Sequence, residues 1–268
     1  MNQLLSEKKI LNEKGFDPVF ISIYGSQNYG LEIFNDEYNS DLDVKSIVVP
    51  TLDDLVENSK GVSKVIDTND GQADIKDIRI FMNTLLKGNP AYLETLFAKE
   101  YYIKEGFEED FEDIICLGES LVYTLRFQML RAIYGMMKEK EKALKHPYPS
   151  TANEIEKFGY SGKQAHHIYR LHILMINYYK NNYSFGESLN TFSKDQKEIL
   201  DLLKLNKLDE YTVDGFVYNI MAASKAFKND YLREGSETER TMNYDIKHHY
   251  ENIGNKIIKN KIIDGLRV

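Results

Sequence analysis

The segment Phe20–Pro50 reads FISIYGSQNYGLEIFNDEYNSDLDVKSIVVP and contains two short apolar strands. The first strand ends in a turn at Gly25 and Ser26, and the second opens near Asp41 and Asp43. Because side chains on a strand alternate between its two faces, we expect the two aspartates to point the same way. The segment therefore predicts a pair of neighbouring carboxylates that follows a glycine-serine turn.

Two neighbouring carboxylates beside a glycine-serine turn can bind metal ions and phosphate. Two carboxylates on one face repel each other and are costly to keep together unless cations lie between them. The turn at Gly25 and Ser26 offers backbone N–H groups and a hydroxyl to a phosphate. Taken alone, the Gly25-Ser26 pair is more typical of an ordinary tight turn, and Asp41 with Asp43 is equally found on a solvated strand face. Taken together, they indicate a site for a metal-bound nucleoside triphosphate.

The overall composition excludes several classes of protein. The chain has 268 residues, a formal net charge of −8 and one cysteine, Cys116. The acidic balance argues against a broad nucleic-acid-coating surface, and a single cysteine excludes a disulfide framework within the chain. No apolar run reaches the length of a membrane span and no signal peptide is evident, so we expect a cytoplasmic protein without membrane contact.

The hydrophobic pattern predicts an α+β fold, with strands and helices in the first half of the chain and a mainly α-helical domain after them. The first half is expected to contain helix 3–14, strands 19–24 and 42–49, and a short helix 52–57 with Thr51 as its N-cap. Hairpin strands 62–67 and 72–75 are expected to flank a turn at Asn69-Asp70-Gly71, followed by helices 78–86 and 91–97. The second half is expected to contain helices 113–142, 162–180, 195–203, 213–232 and 248–266, with a polar loop at 233–244. We place a catalytic domain at 1–108 and a helical domain at 109–268.

Several of these motifs resemble the DNA polymerase β-like nucleotidyltransferase superfamily, and within it a bacterial and phage group of predicted nucleotidyltransferases. The similar elements are GSQNYGL at 25–31, SDLDVKSIVVP at 40–50, GNPAYLETL at 88–96 and, more loosely, GKQAHHIYRL at 162–171. The resemblance covers residues 19–100 and 160–175. It implies a mixed sheet, two magnesium ions, with Mn²⁺ as an alternative ion, and nucleotidyl transfer with release of pyrophosphate.

Carried over to this chain, the resemblance assigns Gly25, Ser26 and Ser40 to nucleotide binding. It assigns Asp41 and Asp43 to catalysis and to holding both metal ions.

The superfamily also has a third carboxylate on a later strand, which serves the metal that activates the acceptor hydroxyl. Two residues of this chain are candidates. Asp74 lies within a predicted strand and is preferred as the third catalytic and metal-binding residue. Asp77 precedes a helical run and has a ready alternative role as the N-cap of that helix.

Three basic residues complete the predicted nucleotide site. Lys45 follows Asp43 by two positions and shares its face, where it can neutralise the acidic pair or contact a phosphate; the alternative is a surface lysine. Lys163 and Arg170 lie seven residues apart and therefore share one helix face, with His166 or His167 between them. That face can meet the phosphates of a nucleotide or of an acceptor, or it can simply be solvated.

We therefore expect a metal-dependent nucleotidyltransferase that moves a nucleoside monophosphate group from a nucleoside triphosphate to an acceptor hydroxyl. The acceptor is left open between an RNA end, a protein and a small molecule. Two alternatives belong to other classes: a nucleotide-binding regulator without catalysis, and an antitoxin-like module that binds a partner protein.

Overall fold

The computed structural model describes residues 2–36, 38–234 and 244–266. The chain divides into two compact units, one formed by Met1–Leu125 with Met242–Val268 and the other by Arg126–Thr241. Within the described ranges, none of the helices combines the length and the apolar composition that a membrane crossing requires.

The first unit is built on a five-stranded mixed sheet. Its strands are β1 (Pro18–Tyr24), β2 (Asp43–Val48), β3 (Ser63–Asp67), β4 (Gln72–Asp77) and β5 (Tyr101–Ile103). Their order across the sheet is β3-β4-β2-β1-β5. Strands β2 and β4 run parallel, and the other neighbours run antiparallel. The sheet and the helical second half confirm the predicted α+β class.

Helices account for most of the remaining described residues. The first unit contains α1 (Asn2–Glu13), α2 (Ser26–Tyr29), α3 (Leu52–Val56), α4 (Ile78–Leu85), α5 (Pro90–Leu93), a 3₁₀ turn (Glu94–Phe97), α6 (Glu108–Cys116) and α7 (Gly118–Thr124). The second unit contains α8 (Arg126–Ala143), α9 (Ala152–Phe158), α10 (Gly162–Lys180), α11 (Phe185–Asn190), α12 (Lys194–Lys204) and α13 (Glu210–Glu234). The last helix, α14 (Tyr244–Leu266), returns to the first unit.

The core of the first unit explains the position of the central strands. Six of the seven residues of β1 are buried, as expected for a short apolar strand that is covered on both faces. Leu4 and Leu11 of α1 lie on one helical face and pack into the same cluster as Ile21, Val44 and Ile75 of the sheet. Burial of this apolar surface is the main term that holds β1, β2 and β4 side by side.

The prediction of one continuous helix at 113–142 is wrong. The chain instead forms α6, α7 and α8, with breaks at Leu117 and Leu125, whose ψ angles are near zero. Gly118 lies at the first break, and a Cβ atom there would be 3.2 Å from the ring of Phe97. The helical periodicity was thus correct, but it does not reveal the two breaks at Leu117 and Leu125.

The C-terminal helix belongs to the first unit because its side chains bind there. Tyr250 of α14 is fully buried and donates a 2.8 Å hydrogen bond to the carbonyl of Ile114. Lys256 forms a 2.6 Å ion pair with Asp110. This division differs from the predicted one at 108/109, which placed the last helix with the helical half. Most of the loop predicted at 233–244 lies outside the described residues.

Candidate active site

The turn after β1 requires glycine for two reasons. Gly25 has φ 76° and ψ −150°, a conformation that is open to glycine and strained for other residues. A Cβ atom at this position would also lie 3.3 Å from Oδ2 of Asp43. Ser26 follows as the first residue of α2. The predicted turn and one predicted carboxylate are therefore close neighbours, with no room for a larger residue at position 25.

Burial alternates along the start of β2 in the predicted way. Leu42 is 3% exposed and belongs to the core, whereas Asp41 is exposed and Asp43 is partly buried. Asp43 is the first residue of β2 and pairs in register with Tyr24 of β1. Leu42 therefore packs into the core between two more exposed aspartates, as the alternation of side chains along an extended segment requires. The binding of both metal ions by Asp41 and Asp43 stays a prediction.

The β3–β4 hairpin holds this segment in place. Leu42 donates a 2.8 Å backbone hydrogen bond to the carbonyl of Asp70 in the hairpin turn. The next residue, Gly71, packs so closely that a Cβ atom would lie 2.2 Å from the carbonyl oxygen of Leu42. The turn that was predicted at Asn69-Asp70-Gly71 therefore also fixes the backbone between the two candidate carboxylates.

Asp74, the preferred third carboxylate, lies in the middle of β4. Its register partner on the parallel strand β2 is Lys45, which is two residues from Asp43 and so shares its face. Asp74 Oδ1 lies 2.8 Å from Nζ of Lys76, and Oδ2 lies 3.6 Å from Nζ of Lys45. The phenol of Tyr92 donates a 3.0 Å hydrogen bond to Oδ2. Asp74 thus lies within a strand, as predicted, and its carboxylate forms ion pairs with two lysines.

The alternative third carboxylate has a structural role. Asp77 is the N-cap of α4, and its Oδ1 accepts a 2.8 Å hydrogen bond from the backbone N–H of Arg79. The guanidinium of Arg79 forms a 2.6 Å ion pair with Oδ2. These contacts satisfy the first turn of α4, as the N-cap interpretation predicts.

Lys45 is a buried cation and not the surface lysine that was the alternative. Its side chain is 4% exposed, and its ammonium lies 4.0 Å from the ring centre of Tyr24 and 4.6 Å from that of Tyr92. Burial lowers the pKa of Lys45, while the charges of Glu94 and Asp74 oppose that change. The two aromatic faces and the carboxylates together compensate for the lost hydration.

Glu94 is the residue of this site whose contacts the sequence did not reveal. It is 3% exposed and accepts a hydrogen bond from the phenol of Tyr29, which is itself buried. Burial raises the pKa of Tyr24, and the negative charges of Asp43, Asp74 and Glu94 raise it further. The sequence feature that points to Glu94 is its position in the segment GNPAYLETL, which also contains Tyr92.

Ser40 forms two hydrogen bonds within the loop before β2. Its hydroxyl accepts a 2.9 Å hydrogen bond from the backbone N–H of Ile33, and its own N–H donates to the carbonyl of Ile33 at 2.9 Å. These bonds close the loop between the two motifs. Contact between Ser40 and a nucleotide stays a prediction.

The other two predicted nucleotide ligands, Lys163 and Arg170, lie on α10 in the second unit. Lys163 is exposed and Arg170 is 7% exposed. Of the two histidines between them, His166 turns to α12, where its Nδ1–H donates to the carbonyl of Leu200 at 3.1 Å. Burial lowers the pKa of both His166 and His167, and the charges of Arg170 and Lys163 lower both further.

Only two of the three candidate carboxylates, those of Asp41 and Asp43, are in a position to bind Mg²⁺. Carboxylate oxygens are the ligands that Mg²⁺ prefers, and the exposed Asp41 and partly buried Asp43 can offer them to a hydrated ion. Among the described residues, no group of three or more histidines, cysteines, aspartates or glutamates is arranged to hold a metal. A site with three carboxylates would require Lys76 and Lys45 to leave Asp74.

Comparison with known proteins gives little further guidance. No protein-family model and no curated protein matches the chain. One solved structure that it resembles is that of a nucleotidyltransferase-like protein from Exiguobacterium sibiricum 255-15. The two are 11% identical with a TM-score of 0.30, over 85% of this chain and 77% of the other.

Proposed function

We propose that the first unit is a nucleotidyltransferase that transfers a nucleoside monophosphate group from a nucleoside triphosphate to an acceptor hydroxyl. The observation that carries this proposal is the closeness of the Gly25 turn to the carboxylate of Asp43, whose strand pairs with the end of β1 at Tyr24. A turn that offers N–H groups to phosphate and a carboxylate that attracts a metal are the two parts that such a reaction needs side by side.

Each residue has a proposed part in the reaction. Gly25 and Ser26 would bind the phosphate chain through backbone N–H groups and a hydroxyl. Asp41 and Asp43 would hold Mg²⁺, with substrate phosphates and water as its other ligands. The bound ion would neutralise the triphosphate and lower the pKa of the acceptor hydroxyl. Lys45 would offset the negative charge of Asp74 beneath the site.

The proposal is tested by transfer of an α-labelled nucleotide in the presence of Mg²⁺, with RNA, protein and small-molecule acceptors offered in turn. We expect Asp41→Asn and Asp43→Asn each to reduce transfer by about a hundredfold or more, since each removes charge from the metal. Asp113→Asn is the matched control, because Asp113 is an exposed aspartate on α6 of the same unit. Wild-type rates in both site variants would contradict the proposal.

One observation favours a second function, that of a nucleotide-binding regulator without turnover. Asp74 is paired with Lys76 and Lys45 rather than presented to a metal. If that pairing persists with nucleotide bound, the site lacks its third carboxylate. Two measurements separate the functions: equilibrium dialysis for nucleotide binding and an assay of released pyrophosphate. A regulator binds the nucleoside triphosphate with Mg²⁺ but releases no pyrophosphate with any acceptor.

A further inference from the structure

The two oxygens of the Asp74 carboxylate have different partners. Oδ2 accepts a 3.0 Å hydrogen bond from the phenol of Tyr92 and lies 3.6 Å from Nζ of Lys45. Oδ1 lies 2.8 Å from Nζ of Lys76, which is near enough for an ion pair. The ammonium does not approach Oδ1 from the direction of a hydrogen bond, so this buried oxygen receives none from the described residues. Oδ1 is therefore the less firmly bound of the two oxygens.

Lys45 is fixed beside Asp74 by its surroundings. Its side chain is 4% exposed, and its ammonium lies against the rings of Tyr24 and Tyr92. A buried cation that loses its carboxylate partner keeps the cost of its desolvation without the compensating attraction. Lys45 is therefore expected to stay paired with Asp74 when another cation binds nearby.

Lys76 can leave Asp74 at a smaller cost. It lies on β4 beside the outer strand β3, where its ammonium donates a 2.9 Å hydrogen bond to Oγ of Ser63. Ser63 is exposed, and the side chain of Lys76 is 15% exposed. Because the lysine side chain is long and flexible, its ammonium can turn from this border into water without any movement of the strand.

We infer that Lys76 competes with a divalent metal ion for Oδ1 of Asp74, so that the ion binds there only after the ammonium has left. In the structure, two ammonium groups and one carboxylate leave a net positive charge around Asp74, which repels a cation. Without Lys76, the remaining pair of Lys45 and Asp74 is neutral, and Oδ1 can bind a hard cation such as Mg²⁺. A metal ion that used both oxygens would displace both lysines, whereas one bound at Oδ1 displaces Lys76 and leaves Lys45 buried.

This inference deepens the proposed function and rests on it, because the metal ion is the one that a nucleotidyltransferase uses at its third carboxylate. Asp74 shares the face of Asp43 through its register with Lys45, so an ion at Oδ1 would lie on that face of the sheet. The ion pair with Lys76 then regulates the site, since it neutralises Asp74 until a metal ion replaces the lysine.

The test measures Mn²⁺ binding to the full chain without nucleotide, by the electron paramagnetic resonance signal of free Mn²⁺. We expect Lys76→Met to raise the affinity for Mn²⁺ about tenfold, because methionine fills the space of the lysine stem but brings no competing charge and no oxygen ligand. Addition of Asp74→Asn to this variant should remove the gain, which identifies Asp74 as the ligand. Circular dichroism checks that each variant is folded.

Lys64→Met is the matched control. Lys64 is an exposed lysine of β3 whose register partner is Ile75, so it lies on the opposite face of the sheet from Asp74. We expect it to bind Mn²⁺ within about twofold of the wild type, because solvent and salt screen its charge. The inference is overturned if Lys76→Met binds Mn²⁺ no more tightly than the wild type. It is also overturned if Lys64→Met gains as much affinity, since the gain would then come from net charge.

The inference and the proposed function fail in different ways. If the wild type transfers nucleotide while Lys76→Met binds Mn²⁺ as the wild type does, the proposed function stands and the inference is wrong. If Lys76→Met gains Mn²⁺ affinity through Asp74 while no acceptor receives labelled nucleotide, the competition is confirmed and the proposed function is wrong.

Discussion

The phenol of Tyr29 donates a hydrogen bond to the carboxylate of Glu94, although 65 residues separate them in the chain. Tyr29 ends the short helix after the Gly25 turn, and Glu94 begins the 3₁₀ turn after α5. Both side chains are buried. The bond therefore ties the turn that is proposed to bind phosphate to the segment that places Tyr92 over Lys45.

This bond should contribute measurably to stability. We expect Tyr29→Phe to lower the free energy of unfolding by about 1–3 kcal/mol, because it removes a buried hydrogen bond to a carboxylate. Chemical denaturation measures the change, with Tyr218→Phe as the control, since Tyr218 is 73% exposed. A double-mutant cycle with Glu94→Gln should show coupling between the two positions. Additive losses in that cycle would mean that the bond contributes nothing of its own.

Replacement of glycine by alanine should change the stability of the protein in opposite directions at two positions. We expect Gly25→Ala to destabilise the protein by about 1–3 kcal/mol, because its backbone conformation strains any other residue and the new Cβ would press on Asp43. Gly135→Ala should instead stabilise by about 0.5–1 kcal/mol, because Gly135 lies within α8 and nothing surrounds its Cβ position. Thermal denaturation of both variants tests the pair, and an equal sign for the two would contradict it.

The histidines of α10 predict a loss of stability in acid. Burial lowers the pKa of His166 to about 3, from an ordinary value of 6.5. Between these values the unfolded chain binds a proton that the folded chain does not, so stability falls as the pH drops. The contribution of one such histidine changes by about 1.4 kcal/mol per pH unit in this window. His167 and His172, whose pKa values are also lowered by burial, act in the same direction.

Urea denaturation at pH 4.5, 5.5 and 6.5 measures this slope. We expect His166→Gln to reduce it by about one proton, whereas His248→Gln should leave it unchanged because the side chain of His248 is 75% exposed. A slope that is the same in wild type and His166→Gln would show that His166 does not carry the effect.

The choice between the two candidate third carboxylates can be decided directly. We expect Asp74→Asn to abolish nucleotidyl transfer, because Asp74 shares the face of Asp43 through its register with Lys45. Asp77→Asn should retain transfer, since asparagine also caps helices well and Asp77 serves α4. Labelled-nucleotide transfer by the two variants is the measurement. Loss with Asp77→Asn and retention with Asp74→Asn would reverse the assignment.

The sequence alone determined the local features of this protein. Alternation with period two predicted that Leu42 enters the core, and turn chemistry predicted the hairpin at Gly71. Capping preferences predicted the helix starts at Thr51 and Asp77. Each of these depends on residues within a few positions of one another, so the pattern holds the necessary information.

Only the tertiary structure decided which distant groups meet. The burial of Lys45 between Tyr24 and Tyr92, the ion pairs of Asp74, and the bond from Tyr29 to Glu94 join strands, a short helix and a 3₁₀ turn from separate parts of the chain. Periodicity fixes the face on which a side chain lies, but it carries no information about what covers that face. Packing in three dimensions supplies that partner, and with it the charge and hydration of each group in the candidate site.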